Sequence, residues 1–335
     1  MRAVVVEKPG VVRVTDVPEP VPGPKDVVIR VGACGICGTD IHIIDGEFPP
    51  TTYPIVIGHE FAGTVVATGD QVVGIAVGDR VGVDPTLNCG ECYFCQRGQG
   101  NLCERWNAVG VGAHPGGFAE CVAVPERTVY QIPDSMTFAD AALIEPVSCV
   151  VHGFHLLQPR PGDSYLIYGA GPMGLQNAQV ARFNGAGVVA IVDINPSRLE
   201  IARSFGFEVR GASLDEVRHV VPRGFDNVIE ATGRTKVAEL AIDAVIRRGK
   251  LLLFGVCPPG EKAAFDVFKL YNEEISIIGT MAVLHSYGPA IDVIAAGAVD
   301  TKRMVTHSLP IDRFDEAVAL VRAGEGLKVQ IDPTL

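Results

Sequence analysis

Cys37 and His59 offer a thiolate sulfur and an imidazole nitrogen. That is the donor pair of a catalytic zinc site, in which three protein ligands leave a fourth position exchangeable. They lie in Gly35-Ile36-Cys37-Gly38-Thr39-Asp40-Ile41-His42 and in Gly58-His59-Glu60-Phe61-Ala62-Gly63. A third donor is required, and two carboxylates qualify: Glu60, next to His59, and Glu145, in Leu143-Ile144-Glu145-Pro146, near the point where the texture of the chain changes. Spacing does not choose between them. An isolated Cys or His is usually a core residue, but clustering with Glu60, Thr39 and His42 sets this pair apart.

A second set of donors is denser. Cys89-x2-Cys92-x2-Cys95-x7-Cys103 puts four thiols within fifteen positions, on a loop that also carries Gly90, Gly98 and Gly100. Four Cys ligands around tetrahedral zinc make a closed, structural site. Iron–sulfur proteins also use four thiolates, but at other spacings. A disulfide framework would staple distant segments of a small secreted domain, and the total of nine cysteines is odd.

Gly169-Ala170-Gly171-Pro172-Met173-Gly174 fits G-x-G-x-x-G between an apolar run and a helical one. Glycines there permit a tight turn, close approach to a pyrophosphate and close helix–sheet packing, and the helix N-terminus offers free N–H groups to the anion. Asp193 ends the next predicted strand, nineteen residues after Gly174. A carboxylate there accepts hydrogen bonds from a ribose 2′-hydroxyl and repels a 2′-phosphate, so NAD is favoured over NADP. Arg198, five residues on, is a guanidinium able to face the adenine or a phosphate, which complicates that choice.

The elements that must position these groups change along the chain. Short β segments at 3–6, 11–14, 27–31, 63–67, 80–83 and 118–124, punctuated by Gly and Pro, predict a barrel-like β domain with little helix. From about Gly162 buried strands and helices alternate: strands at 164–168, 188–193, 225–230 and 250–256, and helices at 173–183, 197–205 and 237–247. Such alternation calls for a parallel sheet with helices on both faces. The end of the chain returns to mixed texture, with helices near 290–296 and 314–322 and a strand near 328–331, and is expected to fold back onto the first domain.

Composition narrows the partners. Of 335 residues 47% are hydrophobic and 20% charged, a folded, globular balance. Subtracting 39 acidic from 28 basic side chains gives −11 with no basic run, which argues against nucleic acid. Apolar stretches such as 188–192 fall far short of the roughly 18 to 20 residues of a membrane span, and the N-terminal run lacks the apolar length of a signal peptide. The expectation is a cytoplasmic protein with no membrane partner.

Together these segments resemble the zinc-containing medium-chain dehydrogenase/reductase family, the alcohol dehydrogenase superfamily, and within it the polyol (sorbitol-like) and threonine dehydrogenase branch. The likeness runs from Met1-Arg2-Ala3 through G-H-E-x-x-G at 58–63, Val77-Gly78-Asp79-Arg80-Val81, the cysteine loop, Glu145-Pro146 and the glycine motif. It implies an α/β protein with a GroES-like β-rich catalytic domain over 1–153, a Rossmann doubly wound parallel-sheet NAD-binding domain over 154–285, and a C-terminal return to the catalytic domain over 286–335. It further implies two zinc ions per chain, NAD, a small-molecule alcohol or polyol substrate, and a homodimer or homotetramer.

Residue by residue, the resemblance puts the catalytic zinc on Cys37, His59 and, in turn, Glu60 or Glu145. Thr39 would receive the substrate proton and His42 pass it to solvent. Met173 would touch the pyrophosphate or ribose, Asp193 and Arg198 the adenosine end, and Phe254-Gly255-Val256 with Gly279-Thr280-Met281 the nicotinamide ribose. Zinc brings a bound water from a pKa of about 15.7 to about 7, worth about 12 kcal/mol, and should act similarly on an alcohol whose carbon then gives hydride to nicotinamide. One departure stands out: the arginine that sorbitol dehydrogenases carry for polyol hydroxyls has no counterpart in Thr280-Met281-Ala282-Val283. The leading reading is reversible oxidation of a secondary alcohol on a polyol or sugar-like substrate. L-Threonine 3-dehydrogenase, or a dehydrogenase of cyclic or vicinal diols, comes next, and a zinc-bearing relative without catalysis is the reading outside enzymes.

Overall fold

The strand Asp26–Gly35, sequence DVVIRVGACG, buries residues on both of its faces and so becomes the hub of a seven-stranded sheet. We describe it from a computed structural model covering residues 1–210 and 214–335. Along that sheet run Val129–Gln131, Arg80–Val83, Glu60–Thr68, Asp26–Gly35, Lys328–Ile331 and Val305–Leu309, while Cys121–Pro125 also pairs with Asp26–Gly35. The C-terminal strand enters antiparallel, Gln330 opposite Gly35 and Ile331 opposite Cys34. Residues Met1–Ser148, Val283–Ala296 and Asp300–Leu335 cluster as one unit, whose core includes Ile29, Val31, Phe61, Phe118 and Phe314.

Two helices in this part of the chain lie outside the predicted elements. Gly38–Asp45 is only eight residues long and starts where the Asp40 carboxylate accepts the Cys37 N–H at 2.8 Å. Ile144–Leu157, sequence IEPVSCVVHGFHLL, is mostly apolar, and its polar residues Glu145, Ser148, His152 and His155 form one narrow stripe at helical spacing.

The second unit is Cys149–Ala282 with Gly297–Val299. Its strands stand in the order Glu208–Arg210, Val188–Val192, Ser164–Tyr168, Phe225–Glu230, Val245–Leu253 and Ser276–Gly279, every pair parallel. The order reverses between Ser164–Tyr168 and Phe225–Glu230, which defines a doubly wound sheet of the Rossmann type with a switch point at the C-terminal end of those two strands.

Some boundaries move. The predicted helix at 237–247 is Thr235–Ala241 followed by a 3₁₀ turn, Ile242–Ala244, and Val245–Arg247 already belong to the strand Val245–Leu253. β-Branched Val245 and Ile246 explain the switch, because both fit a sheet better than a helix. That strand stops at Leu253, so Phe254–Val256 lie beyond it, in the loop after the sheet edge. Among the described residues no helix is long and apolar enough to cross a membrane.

Candidate active site and metal centres

One short helix organises the first centre. Cys37 is the N-cap of Gly38–Asp45, and Thr39 and His42 follow on the same helix. His59 and Glu60 arrive from the sheet, at the start of the strand Glu60–Thr68. The ligand atoms of Cys37, His59 and Glu60 lie within 4.8 Å of one another. His59 and Glu60 are buried, Cys37 and Thr39 half-buried, and Cys37 Sγ sits 3.7 Å from Thr39 Oγ1. Glu145 is not in that group. It is buried in the first turn of Ile144–Leu157, where its charge is felt by Lys328 and Tyr287.

The donor set fits a divalent cation on its own electrostatics. His59 Nδ1 stands 3.5 Å from Asp40 Oδ1, and neither atom completes a hydrogen bond. Burial works against a charged imidazole, yet Asp40 and Cys37 outweigh it and raise the His59 pKa well above its usual 6.5. Asp40 and Cys37 therefore bring negative charge to a buried histidine, with a carboxylate behind it as in carboxylate–histidine–zinc arrangements. Asp40 is a residue the sequence reading missed, although its place three after Cys37 was a visible capping signal.

Lys328 is the other. It is 3% exposed, and its Nζ donates to Glu60 Oε1 at 2.6 Å and also to Oε2. Burial would lower its pKa, but Glu60, Cys37 and Glu145 raise it, so the ammonium stays charged among the anions. A methyl group at Gly35 would collide with the same Glu60 carboxylate, so glycine leaves it room. No signal in the sequence links positions 268 residues apart. Lys328→Met is expected to destabilise the metal-depleted protein by about 3–5 kcal/mol, because Glu60 is left as an unpaired buried charge. Urea unfolding measures this, and the double variant with Glu60→Gln should recover most of the loss; equal stability of the single variant contradicts the assignment.

The four-cysteine loop is assembled in the same unit. All four Sγ atoms lie within 4.8 Å of one another, and Cys89–Cys95 and Cys92–Cys103 are each 3.9 Å apart. Such distances exclude disulfides, and match the edge of about 3.8 Å that zinc–sulfur bonds of about 2.3 Å give in a tetrahedron. Backbone N–H groups point at the sulfurs: Cys92 to Cys89, and Cys89 and Arg105 to Cys103, each at 3.3 Å. The backbone bond at Glu91 leads in bringing the Cys89 thiol down to about 6, whereas burial pushes Cys95 up to about 12.

In the second unit the predicted cofactor residues gather at the C-terminal ends of parallel strands, the edge at which such sheets bind ligands. Gly169 follows Ser164–Tyr168 with φ +101°, a conformation that favours glycine. Gly171 caps the helix Pro172–Phe183 without any side-chain bond, leaving first-turn N–H groups to an anion. A side chain at Gly174 would collide with the Gly169 carbonyl. Met173 is half-buried in the helix's first turn. Asp193 accepts the Ala170 N–H at 2.7 Å and the Asn195 N–H at 2.8 Å, which fixes its carboxylate beside the glycine loop. Arg198 Nη1 lies 3.7 Å from where a Gly171 side chain would begin. Gly255 packs against the Gly233 backbone, Val256 is exposed, and Thr280 Oγ1 is buried with no hydrogen-bond partner. Glu230, unforeseen, accepts from Thr232 and Gly233 and shapes the loop between these edges. The cradle of bare glycines and the orphaned hydroxyl fit a dinucleotide.

Comparison with known proteins agrees with both units. Residues 23–134 match the alcohol dehydrogenase GroES-like domain, and residues 172–296 the zinc-binding dehydrogenase family. The chain is 36% identical to D-arabinitol dehydrogenase 1 of Uromyces fabae, covering 99% of this chain and 97% of that one. It is equally 36% identical to L-threonine 3-dehydrogenase of Rhizobium johnstonii, covering 99% and 98%. A solved structure described as a zinc-binding dehydrogenase from Sinorhizobium meliloti 1021, bound to NADP, superposes with a TM-score of 0.95 at 34% identity over 99% of both chains.

Proposed function

The chain belongs to the zinc-containing alcohol dehydrogenase family of medium-chain dehydrogenases, and from that premise we propose that it oxidises a secondary alcohol of a polyol to the ketone, reversibly, with NAD. The observation that carries this is the buried convergence of Cys37, His59 and Glu60, with Asp40 behind the histidine. These residues would hold zinc, with Glu145 as the other carboxylate of the set, and Cys89, Cys92, Cys95 and Cys103 a structural zinc. Bound zinc supplies the Lewis acidity that makes a hydroxyl acidic, and bound nicotinamide the hydride acceptor.

This chain's own residues do the rest. Asp40 orients His59, and Lys328 balances the negative charge of Glu60. Thr39, beside Cys37, would accept the hydroxyl proton while giving up its own, and His42, further along the helix, would receive the relayed proton and return it to water. Gly169, Gly171, Met173 and Gly174 seat the pyrophosphate, Asp193 and Arg198 the adenosine ribose, and Gly255, Val256 and Thr280 the nicotinamide ribose. The Asp193 carboxylate favours a free 2′-hydroxyl, hence NAD. The missing polyol arginine argues for a polyol other than sorbitol. Likeness to an L-threonine 3-dehydrogenase keeps that amino alcohol as the second reading. We further propose a homodimer or homotetramer, which light scattering on the eluting protein would test.

A panel of pentitols, hexitols, vicinal diols and L-threonine, each with NAD and with NADP, tests the reading through the absorbance of the reduced nicotinamide. A polyol should give the highest kcat/KM, with NAD preferred at least about tenfold. Turnover of threonine alone would select the second reading, and a preference for NADP would reject the role given to Asp193.

A further inference from the structure

We infer that Glu47 is a positioning residue of the proton exit: its carboxylate holds the His42 imidazole in the tautomer with hydrogen on Nδ1, leaving Nε2 as the free base. This rests on the role proposed above for His42.

His42 Nδ1 stands 2.8 Å from Glu47 Oε2. An ionised carboxylate only accepts, so the nitrogen facing it carries the hydrogen and the other nitrogen keeps its lone pair. The backbone is shaped to make this contact. Residues five apart on a continuing helix point in different directions, but the helix Gly38–Asp45 ends at Gly46, in the left-handed conformation with φ 78°. From there the chain doubles back, and the Glu47 N–H bonds to the His42 carbonyl at 2.8 Å. A side chain at Gly46 would come within 2.7 Å of Pro9, and the Gly10 N–H bonds to the Ile44 carbonyl at 2.7 Å, so the turn is also held by the loop between the antiparallel strands Arg2–Lys8 and Val11–Asp16.

The charges around His42 agree. Asp45 is bound at both oxygens by Arg322 of the C-terminal helix Phe314–Ala323, at 2.9 and 2.6 Å. Arg322 also feels Glu47, and Asp45 feels His42. With two carboxylates and one guanidinium, the cluster carries −1 while His42 is neutral and 0 once it is protonated. A proton arriving at Nε2 makes an imidazolium beside these carboxylates. The same N–H is then given to solvent water or buffer base, and the neutral tautomer is restored. Glu47 is 63% exposed and His42 45%, so the exit opens to water.

Nitrogen-15 NMR of the histidines in the full-length protein tests the tautomer directly. Neutral His42 should carry hydrogen on Nδ1 in the wild type and in Glu47→Asp, and lose that preference in Glu47→Gln, whose amide offers Nδ1 a donor as well as an acceptor. Glu47→Gln should also lower kcat for alcohol oxidation by about tenfold across the pH profile. Metal content and the KM for NAD should not change. Glu47→Asp should rescue, as should an external imidazole buffer acting as proton acceptor. An Nε2–H tautomer in the wild type, or a Glu47→Gln profile that overlays the wild type, would overturn the inference. Because the spectra need no turnover, failure of every alcohol in the panel would sink the dehydrogenase reading alone.

Discussion

Cys37→Ala should lower kcat by about 10⁴-fold or more on whichever alcohol the enzyme prefers, while NAD still binds with wild-type affinity. The size follows from the acidity that zinc confers: only part of that effect, about 5 kcal/mol of the barrier, corresponds to four orders of magnitude. Binding should survive because the glycine cradle, Asp193 and Arg198 belong to the second unit, which Cys37 does not. The fold should survive as well. The Asp40 carboxylate accepts the Cys37 backbone N–H, a bond that an alanine keeps. Metal content by mass spectrometry, cofactor titration by fluorescence, and steady-state kinetics give the three readouts. Undiminished turnover in this variant would remove Cys37 from the metal site.

Cys92→Ser should act on stability instead of chemistry. A structural zinc contributes folding free energy outright, and Cys92 is one of two buried thiols in the cluster proposed to hold one. Its loss should lower the melting temperature by on the order of 10 °C, reduce the zinc content by one equivalent, and open the loop around 89–103 to proteolysis. Cys121→Ser is the control, since Cys121 is a thiol on the strand Cys121–Pro125, outside the cluster. An unchanged melting temperature in Cys92→Ser would mean that the four sulfurs hold no metal.

How legible these features were depends on the distance over which their causes act. The cysteine loop and the glycine turn are local, so their spacing already contained the chemistry. The helix Gly38–Asp45 was harder to see: it is too short for periodicity, and its start depends on a cysteine acting as N-cap with Asp40 completing the turn. The stretch 237–247 misled because one apolar run serves both the end of a helix and the start of a buried strand, and only pairing with Phe225–Glu230 separates them.

By itself the sequence singled out Cys37 with His59, the four clustered cysteines, the glycine turn and the acid just after the following strand, while leaving Glu60 and Glu145 both open. Each is produced by residues within about thirty positions of one another, where backbone geometry leaves few alternatives. Tertiary structure alone decided which distant charges meet. Lys328 reaches Glu60, and Arg322 reaches Asp45, only because C-terminal segments fold onto the N-terminal unit, the strand Lys328–Ile331 pairing with Asp26–Gly35. Charge pairing across such separations is set by desolvation and proximity in the folded state, and neither quantity exists in the unfolded chain.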